Sequence, residues 1–315
     1  MAFKLPTVSY GDAVQGRHVL IDADVIAYLG SQGCDEMPLN AALAKMKQRW
    51  NQVLVETRAE SYTGFLTGKN NFRDSIATLQ RYKGNRYDKF GNRIKPQPIW
   101  LQECRQELIE VYGCILCEGQ EADDALGIES ARRSPGDAEH PTTIISSIDK
   151  DLGINPGCHH NMTSGLMTWV DREGAIWIDE KIHKVTGKTV KKFRGNGMHF
   201  FWAQMLMGDN ADWIKGLPKV GDKPKAEFSI PRKGNCGEMT AWAILKDAVT
   251  EEDMQDRVWF CYKDYWMSHS YKHWRTDREF PAGIITAKKQ FIEQGRLLWM
   301  RREEGELWNP PFPLT

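Results

Sequence analysis

Residues 19–27, VLIDADVIA, are apolar except for two aspartates at i and i+2. The residues before Asp22 read as a central strand, and a strand's two-residue period sends Asp22 and Asp24 to one face. Burying a single unpaired charge is costly, so a cation is expected between them. Downstream, residues 39–61 place Leu43, Met46, Trp50, Val53 and Leu54 near a 3.6-residue period, which predicts a helix. YTGFLTG reads as a short second strand ended by glycine. Pro96 and Pro98 break the chain before a helix predicted over 99–112. CILCEG reads as a third strand. QEADDALGIESARR reads as a helix whose acidic start and basic end suit the helix dipole. PTTIISSIDKD reads as a fourth strand ending in a serine pair and two aspartates. TWV, AIWI and KTVKKF, within 165–193, predict short antiparallel strands at an edge, and the texture turns helical from His199.

This alternation predicts an α/β fold, a mostly parallel central sheet flanked by helices. It divides the chain into an α/β core over 1–205, with a basic loop or arch near 81–100, and a helical region over 206–315. In such sheets the working residues collect beyond the carboxyl ends of the strands. Asp22, Asp24, Glu121, Asp123, Asp124, Asp149 and Asp151 all fall there. Asp209 and Asp212, in LMGDNADWI, are spaced i,i+3, which predicts one helical face.

Composition narrows the class. With 41% hydrophobic and 27% charged residues over 315 positions, the chain has the composition of a soluble protein with room for two domains. No run approaches the roughly 18 apolar residues of a membrane span, and MAFKLPTVSYGD lacks the apolar core of a signal peptide, so a cytosolic location without membrane attachment is expected. The seven cysteines are odd in number and scattered, which argues for reduced thiols. Cys114 and Cys117 form half of a zinc signature and read as ordinary thiols, and the CHH at 158–160 reads as a loop. Most of the 12 Trp are expected to be packing anchors. Net charge is zero, but residues 81–95, RYKGNRYDKFGNRIK, carry six Lys or Arg against one Asp. With Tyr82, Tyr87 and Phe90 interleaved, this loop suits phosphate and a stacked base.

Like charges as close as these carboxylates raise one another's pKa unless a cation compensates them. Hard oxygen ligands suit Mg²⁺ or Mn²⁺. Two such ions about 4 Å apart activate water and neutralise the leaving oxygen of a phosphodiester. Phosphoryl transfer therefore leads. A phosphatase of the haloacid dehalogenase type also fits Asp22-x-Asp24 with Asp209 and Asp212, taking Asp22 as nucleophile and Asp24 as general acid. That scheme leaves Glu121, Asp123, Asp124 and the basic loop without roles.

Phe72-Arg73, YKGNR at 82–86, EADD at 121–124, SIDKD at 147–151 and GDNADWIKGLPKVG at 208–221 occur in the order seen in the phage 5'-to-3' exonuclease and flap endonuclease family. Residues 18–225 resemble that family. The resemblance implies an α/β nuclease fold of the PIN and flap endonuclease type, acting on duplex DNA with a free 5' end or a 5' flap. It implies two Mg²⁺ ions, replaceable by Mn²⁺, on Asp22, Glu121, Asp123, Asp124, Asp149 and Asp151, with Asp209 and Asp212 on the second-metal side. Asp24 matches more weakly, as a residue behind the ligands. The catalytic cations fall on Lys83 and Arg86 at the base of a helical arch, and Tyr82 falls where it could stack on the terminal base. Arg73, Lys89, Arg93 and Lys95 are implied DNA contacts. A helix-hairpin-helix element with a K⁺ ion falls on Lys215, Gly216, Lys219 and Gly221.

Phage replication or recombination proteins are the implied partners, in a host cell's cytoplasm. The chain departs from the family at Lys219, where the hairpin usually has glycine, and at Gly68, where an aspartate usually stands. SIPRKGNCGE, residues 229–238, interrupts the expected second helix. A DNA-binding module without turnover is a third reading, which the intact carboxylate groups speak against.

Overall fold

Strand β1 (Val14–Asp22) is the buried run expected from its sequence, with Val19, Leu20 and Ile21 fully buried. A strand covered on both faces is what the interior of a parallel sheet requires. β1 lies parallel to β2 (Ala59–Thr67) on one side and to β4 (Thr143–Ser147) on the other. β3 (Ile115–Cys117) continues the parallel arrangement beyond β2, and β5 (Gly157–Asn161) beyond β4. β6 (Met167–Val170) completes the order β3-β2-β1-β4-β5-β6.

This computed structural model describes residues 13–182, 187–218 and 236–315. The chain forms two compact units: one of residues 1–69, 97–149 and 157–169, the other of 70–96, 150–156 and 170–315. The chain passes between them several times, so the expected single boundary near residue 205 gives way to an interleaved division.

In the first unit, helix Leu39–Thr57 buries Ala42, Met46, Trp50, Val53 and Leu54, the face its period marks. Burial of each large apolar side chain contributes roughly 2 kcal/mol. Helices Leu101–Glu110 and Ala122–Arg132 lie within the expected spans. The CHH segment is not a loop but part of β5, where His160 bridges Ser146 (Nδ1 to Oγ, 2.8 Å) and Glu56 (Nε2 to Oε2, 2.9 Å). Burial holds the His160 imidazole below its ordinary pKa despite Glu56. All seven cysteines are buried free thiols, and desolvation pushes Cys114 up to about 12.

The second unit contains the antiparallel pair β7 (Ala175–Ile182) and β8 (Thr189–Asn196), a separate two-stranded sheet. Of the strands expected at the edge of the central sheet, only β6 joins it. Helices Gly197–Met207, Glu238–Leu245, Glu251–Trp266 and Ile284–Leu298 surround an aromatic core in which Trp202, Trp259 and Trp308 meet Phe291. Six of the 12 Trp are buried, while Trp177 and Trp213 are exposed. Among the described residues, no helix is long and apolar enough to cross a membrane. The expected hairpin contacts Lys219 and Gly221 lie outside the described residues.

Candidate functional site

Asp22 stands at the carboxyl end of β1, where the order of the sheet reverses: β2 and β3 follow on one side, β4 and β5 on the other. Ligands of open α/β sheets gather at such switch points. The strand stops at Asp22 because its carboxylate caps the next helix, Ala23–Ser31, accepting from Val25 N at 3.2 Å. Its other oxygen accepts from Ser147 Oγ at 2.7 Å, and that hydroxyl in turn accepts from Asp149 N at 3.0 Å. The second serine of the SSID segment thus ties the ends of β1 and β4 together.

Asp24 corrects the strand-based expectation. It lies in the first turn of the helix and does not share a strand face with Asp22. The cation beside it is Arg105, which forms an ion pair with Asp24 Oδ1, while Oδ2 accepts from Thr67 N at 2.8 Å. Arg105 also donates to Thr67 O at 2.5 Å. Burial lowers the Arg105 pKa from its very high ordinary value.

Glu121 and Asp124 are buried in a reciprocal capping box at the start of helix Ala122–Arg132, with Glu121 N donating to Asp124 Oδ2 at 3.2 Å. Asp123 is half-buried in the same first turn, and Asp149 is exposed after β4. At Gly68, an added Cβ would come within 2.3 Å of Cys117 O and 2.9 Å of Glu118 Oε1. The absence of an aspartate there has a steric reason. Gly68→Asp is therefore expected to lower stability by about 2 kcal/mol; unchanged thermal unfolding would show that the backbone moves aside.

In the second unit, Gly208 ends helix Gly197–Met207 with φ 71°, and its Cβ position would meet Gly216 N at 2.2 Å. Gly208–Asp209 then pairs with Ile214–Lys215, so Asp209 and Asp212 occupy a turn and not the expected helical face. Asp209 is buried; its Oδ1 accepts from Ala211 N (2.5 Å) and Asp212 N (3.2 Å), and its Oδ2 from Lys150 Nζ (2.7 Å). Burial pushes the Asp209 carboxyl up, but the hydrogen bond and charge of Lys150 outweigh it and hold the group below its ordinary range. Lys150 Nζ also lies 3.6 Å from Asp151 Oδ1, which accepts from Gln204 Nε2 at 2.7 Å.

Asp212 gathers the basic segment. It accepts from Tyr82 OH at 2.7 Å and pairs with Lys83 Nζ at 3.3 Å and Arg86 Nη2 at 3.1 Å. Lys83 N donates to Asp212 O at 2.8 Å, and Asn85 Nδ2 to Asn210 O at 2.9 Å. Lys83 and Arg86 lie in and beside a short 3₁₀ turn, Gly84–Arg86; among the described residues, no α-helical arch spans 81–100. Asp88, the one acid of the stretch, accepts from Phe90 N and Asn92 N and organises a turn closed by a Tyr87–Arg93 bridge. Lys89 and Arg93 are exposed within it and Lys95 just beyond it; Lys215 and the edge of Arg86 are exposed as well.

Two expected DNA contacts are corrected. Tyr82 is buried, so its ring is not open to a base, and its hydroxyl orients Asp212. Arg73 is fully buried and donates to Leu297 O (Nε, 2.9 Å) and Trp299 O (Nη2, 2.7 Å). Gly216 is buried against Met207 and Gly208.

Among the described residues, no three His, Cys, Asp or Glu side chains stand together as a preformed metal-ligating group. The donors nevertheless suit a hard divalent ion. The candidates in both units are carboxylates, and the buried amide oxygen of Gln204, whose Nε2 donates to Asp151, accepts no hydrogen bond among the described residues.

The fold is shared with a phage protein of known structure. The T5 D15 protein co-crystallised with metal ions is 14% identical, matching over 90% of this chain and 86% of that one with a TM-score of 0.53. The T5 5'-exonuclease with bound zinc is 13% identical over 90% of this chain and 86% of that one, with a TM-score of 0.46. The bacteriophage T5 D15 flap endonuclease in complex with DNA and metal ions is 14% identical over 78% of this chain and 88% of that one, with a TM-score of 0.44. No protein-family model and no curated protein matches the chain.

Proposed function

We propose that this chain is a divalent-metal-dependent phosphodiester hydrolase that degrades duplex DNA from free 5' ends and cuts 5' flaps. The observation that carries the reading is the burial of Asp22, Glu121 and Asp124 around the carboxyl ends of a parallel sheet whose fold is shared with T5 D15. Carboxylates gathered at one edge of the sheet offer the hard oxygen ligands that a divalent cation takes. Asp22, Glu121, Asp123, Asp124 and Asp149 would hold one Mg²⁺, and Asp151, Asp209 and Asp212 a second, with Mn²⁺ able to replace either. When bound, such ions neutralise phosphate charge and favour ionisation of the attacking water.

The protein's own part is to bind and orient the strand. Exposed Lys89, Arg93 and Lys95 offer phosphate contacts. Lys83 and Arg86, held on Asp212, are positioned to exchange that carboxylate for phosphate oxygens as negative charge develops in the transition state. Arg86 supplies a fork and Lys83 a point charge. The phosphatase alternative is disfavoured by Asp24, because one carboxylate oxygen is paired with Arg105 and the other accepts from Thr67 N, so neither is open to a leaving group.

The test uses Mg²⁺ with a duplex labelled at one 5' end, the same duplex labelled at the 3' end, and p-nitrophenyl phosphate. The 5' label is expected to leave first, as mono- or short oligonucleotides, while the 3' label stays in long fragments and nitrophenol release is negligible. Chelation with EDTA should stop the reaction. Rapid monoester turnover without DNA cleavage would establish the phosphatase, DNA binding without either activity the inactive module, and early loss of the 3' label the opposite polarity.

A further inference from the structure

We propose that Lys150 is the resident cation of the Asp151–Asp209 pair and that its ammonium group must leave when a divalent ion enters, so that Lys150 sets the affinity of that ion. This rests on the metal-dependent reading above and goes beyond it, because it assigns a role to a residue between two candidate ligands. Lys150 Nζ lies 2.7 Å from Asp209 Oδ2 and 3.6 Å from Asp151 Oδ1, contacting both acids at once. The Asp209 side chain is almost wholly buried, while that of Lys150 is 56% exposed. The anion is fixed, whereas the cation sits on a flexible stem with solvent to move into.

The surroundings are those of a cation site rather than of a surface ion pair. Asp209 is locked by Ala211 N and Asp212 N, and Asp151 by Gln204 Nε2, so neither carboxylate has to be organised when an ion arrives. The fully buried amide oxygen of Gln204 accepts no hydrogen bond among the described residues, and the Nε2 of the same side chain holds Asp151 Oδ1. An ammonium group can only donate, so it cannot pair with the backbone donors; it competes for the same carboxylate oxygens a metal would use. Entry of a divalent ion therefore either displaces Lys150 or leaves two cations repelling in one pocket. Both reduce metal affinity, as in any linked equilibrium where a competing cation holds the ligands.

The experiment is calorimetric titration of the full chain with Mn²⁺ alone, without DNA, backed by electron paramagnetic resonance of free Mn²⁺. Lys150→Met keeps the length and apolar stem and removes the charge. One Mn²⁺ ion is expected to bind at least tenfold more tightly to Lys150→Met than to the natural chain, and the gain should vanish in Lys150→Met combined with Asp209→Asn. A second measurement needs no variant: acylation of Lys150 by an N-hydroxysuccinimide ester, followed by mass spectrometry, should accelerate at least threefold when Mn²⁺ is added. Mn²⁺ affinity within twofold of the natural chain in Lys150→Met, or acylation indifferent to Mn²⁺, overturns the proposal. If Mg²⁺-dependent DNA cleavage persists alongside that result, only the role of Lys150 falls. If neither protein binds Mn²⁺ and neither cleaves DNA, the metal-dependent reading falls with it.

Discussion

Asp22→Asn is expected to lower the rate of DNA cleavage in Mg²⁺ by about three orders of magnitude, equivalent to about 4 kcal/mol of transition-state stabilisation, while leaving the fold intact. The two halves of this expectation have different origins. Asn and Asp are nearly equivalent as helix caps, so the bond from Val25 N is kept. The bond with Ser147 can also persist, because the serine hydroxyl can accept from an amide as readily as it donates to a carboxylate. What is lost is a full negative charge at the centre of the sheet's carboxyl edge. Single-turnover cleavage measured beside thermal unfolding separates the two. A variant that cleaves within tenfold of the natural rate would remove Asp22 from the metal ligands; one that unfolds several degrees lower would show that the charge is structural.

Much of the first unit could be read from local pattern. The runs that became β1, β2 and β4, and the helical face of residues 39–57, are set by burial, and burial leaves a period in the sequence. The acids after these strands follow from the same logic, since a parallel sheet places them at one edge. What local pattern cannot express is where a strand yields to a helix when one residue serves both. Asp22 ends β1 and caps the next helix, so extending the two-residue alternation to Asp24 pointed that side chain the wrong way.

Counter-charges escape the pattern for a related reason. Arg105 is 81 residues from Asp24, and Lys83 and Arg86 are over 120 residues from Asp212. No period links residues so far apart in sequence. Lys150 was visible in SIDKD, but only the fold shows its ammonium group reaching Asp209, 59 residues away. The basic segment illustrates the same limit, because its composition marks a cluster of positive charge while leaving open which residues face water. Tyr82 turned inward to Asp212, and Lys89, Arg93 and Lys95 turned out.

Arg73 gives the sharpest contrast between the two kinds of reading. As a DNA contact, its replacement by alanine would weaken duplex affinity and reduce the slope of log affinity against log salt by about one. Its position in the second unit predicts a different outcome. The guanidinium is fully buried and donates to the carbonyls of Leu297 and Trp299 at the end of helix Ile284–Leu298, where backbone acceptors lack helical partners and the dipole is negative. Arg73→Ala leaves those buried carbonyls without their donor and opens a cavity, so it should cost about 3 kcal/mol of stability. Arg73→Lys should recover less than half of that, because one ammonium group cannot reproduce two divergent N–H bonds. Urea unfolding reads the stability, and duplex binding at several salt concentrations, well below the melting temperature, reads the contact. An unchanged salt slope with a large loss of stability establishes the buried role; a stable variant with a reduced slope would return Arg73 to the DNA.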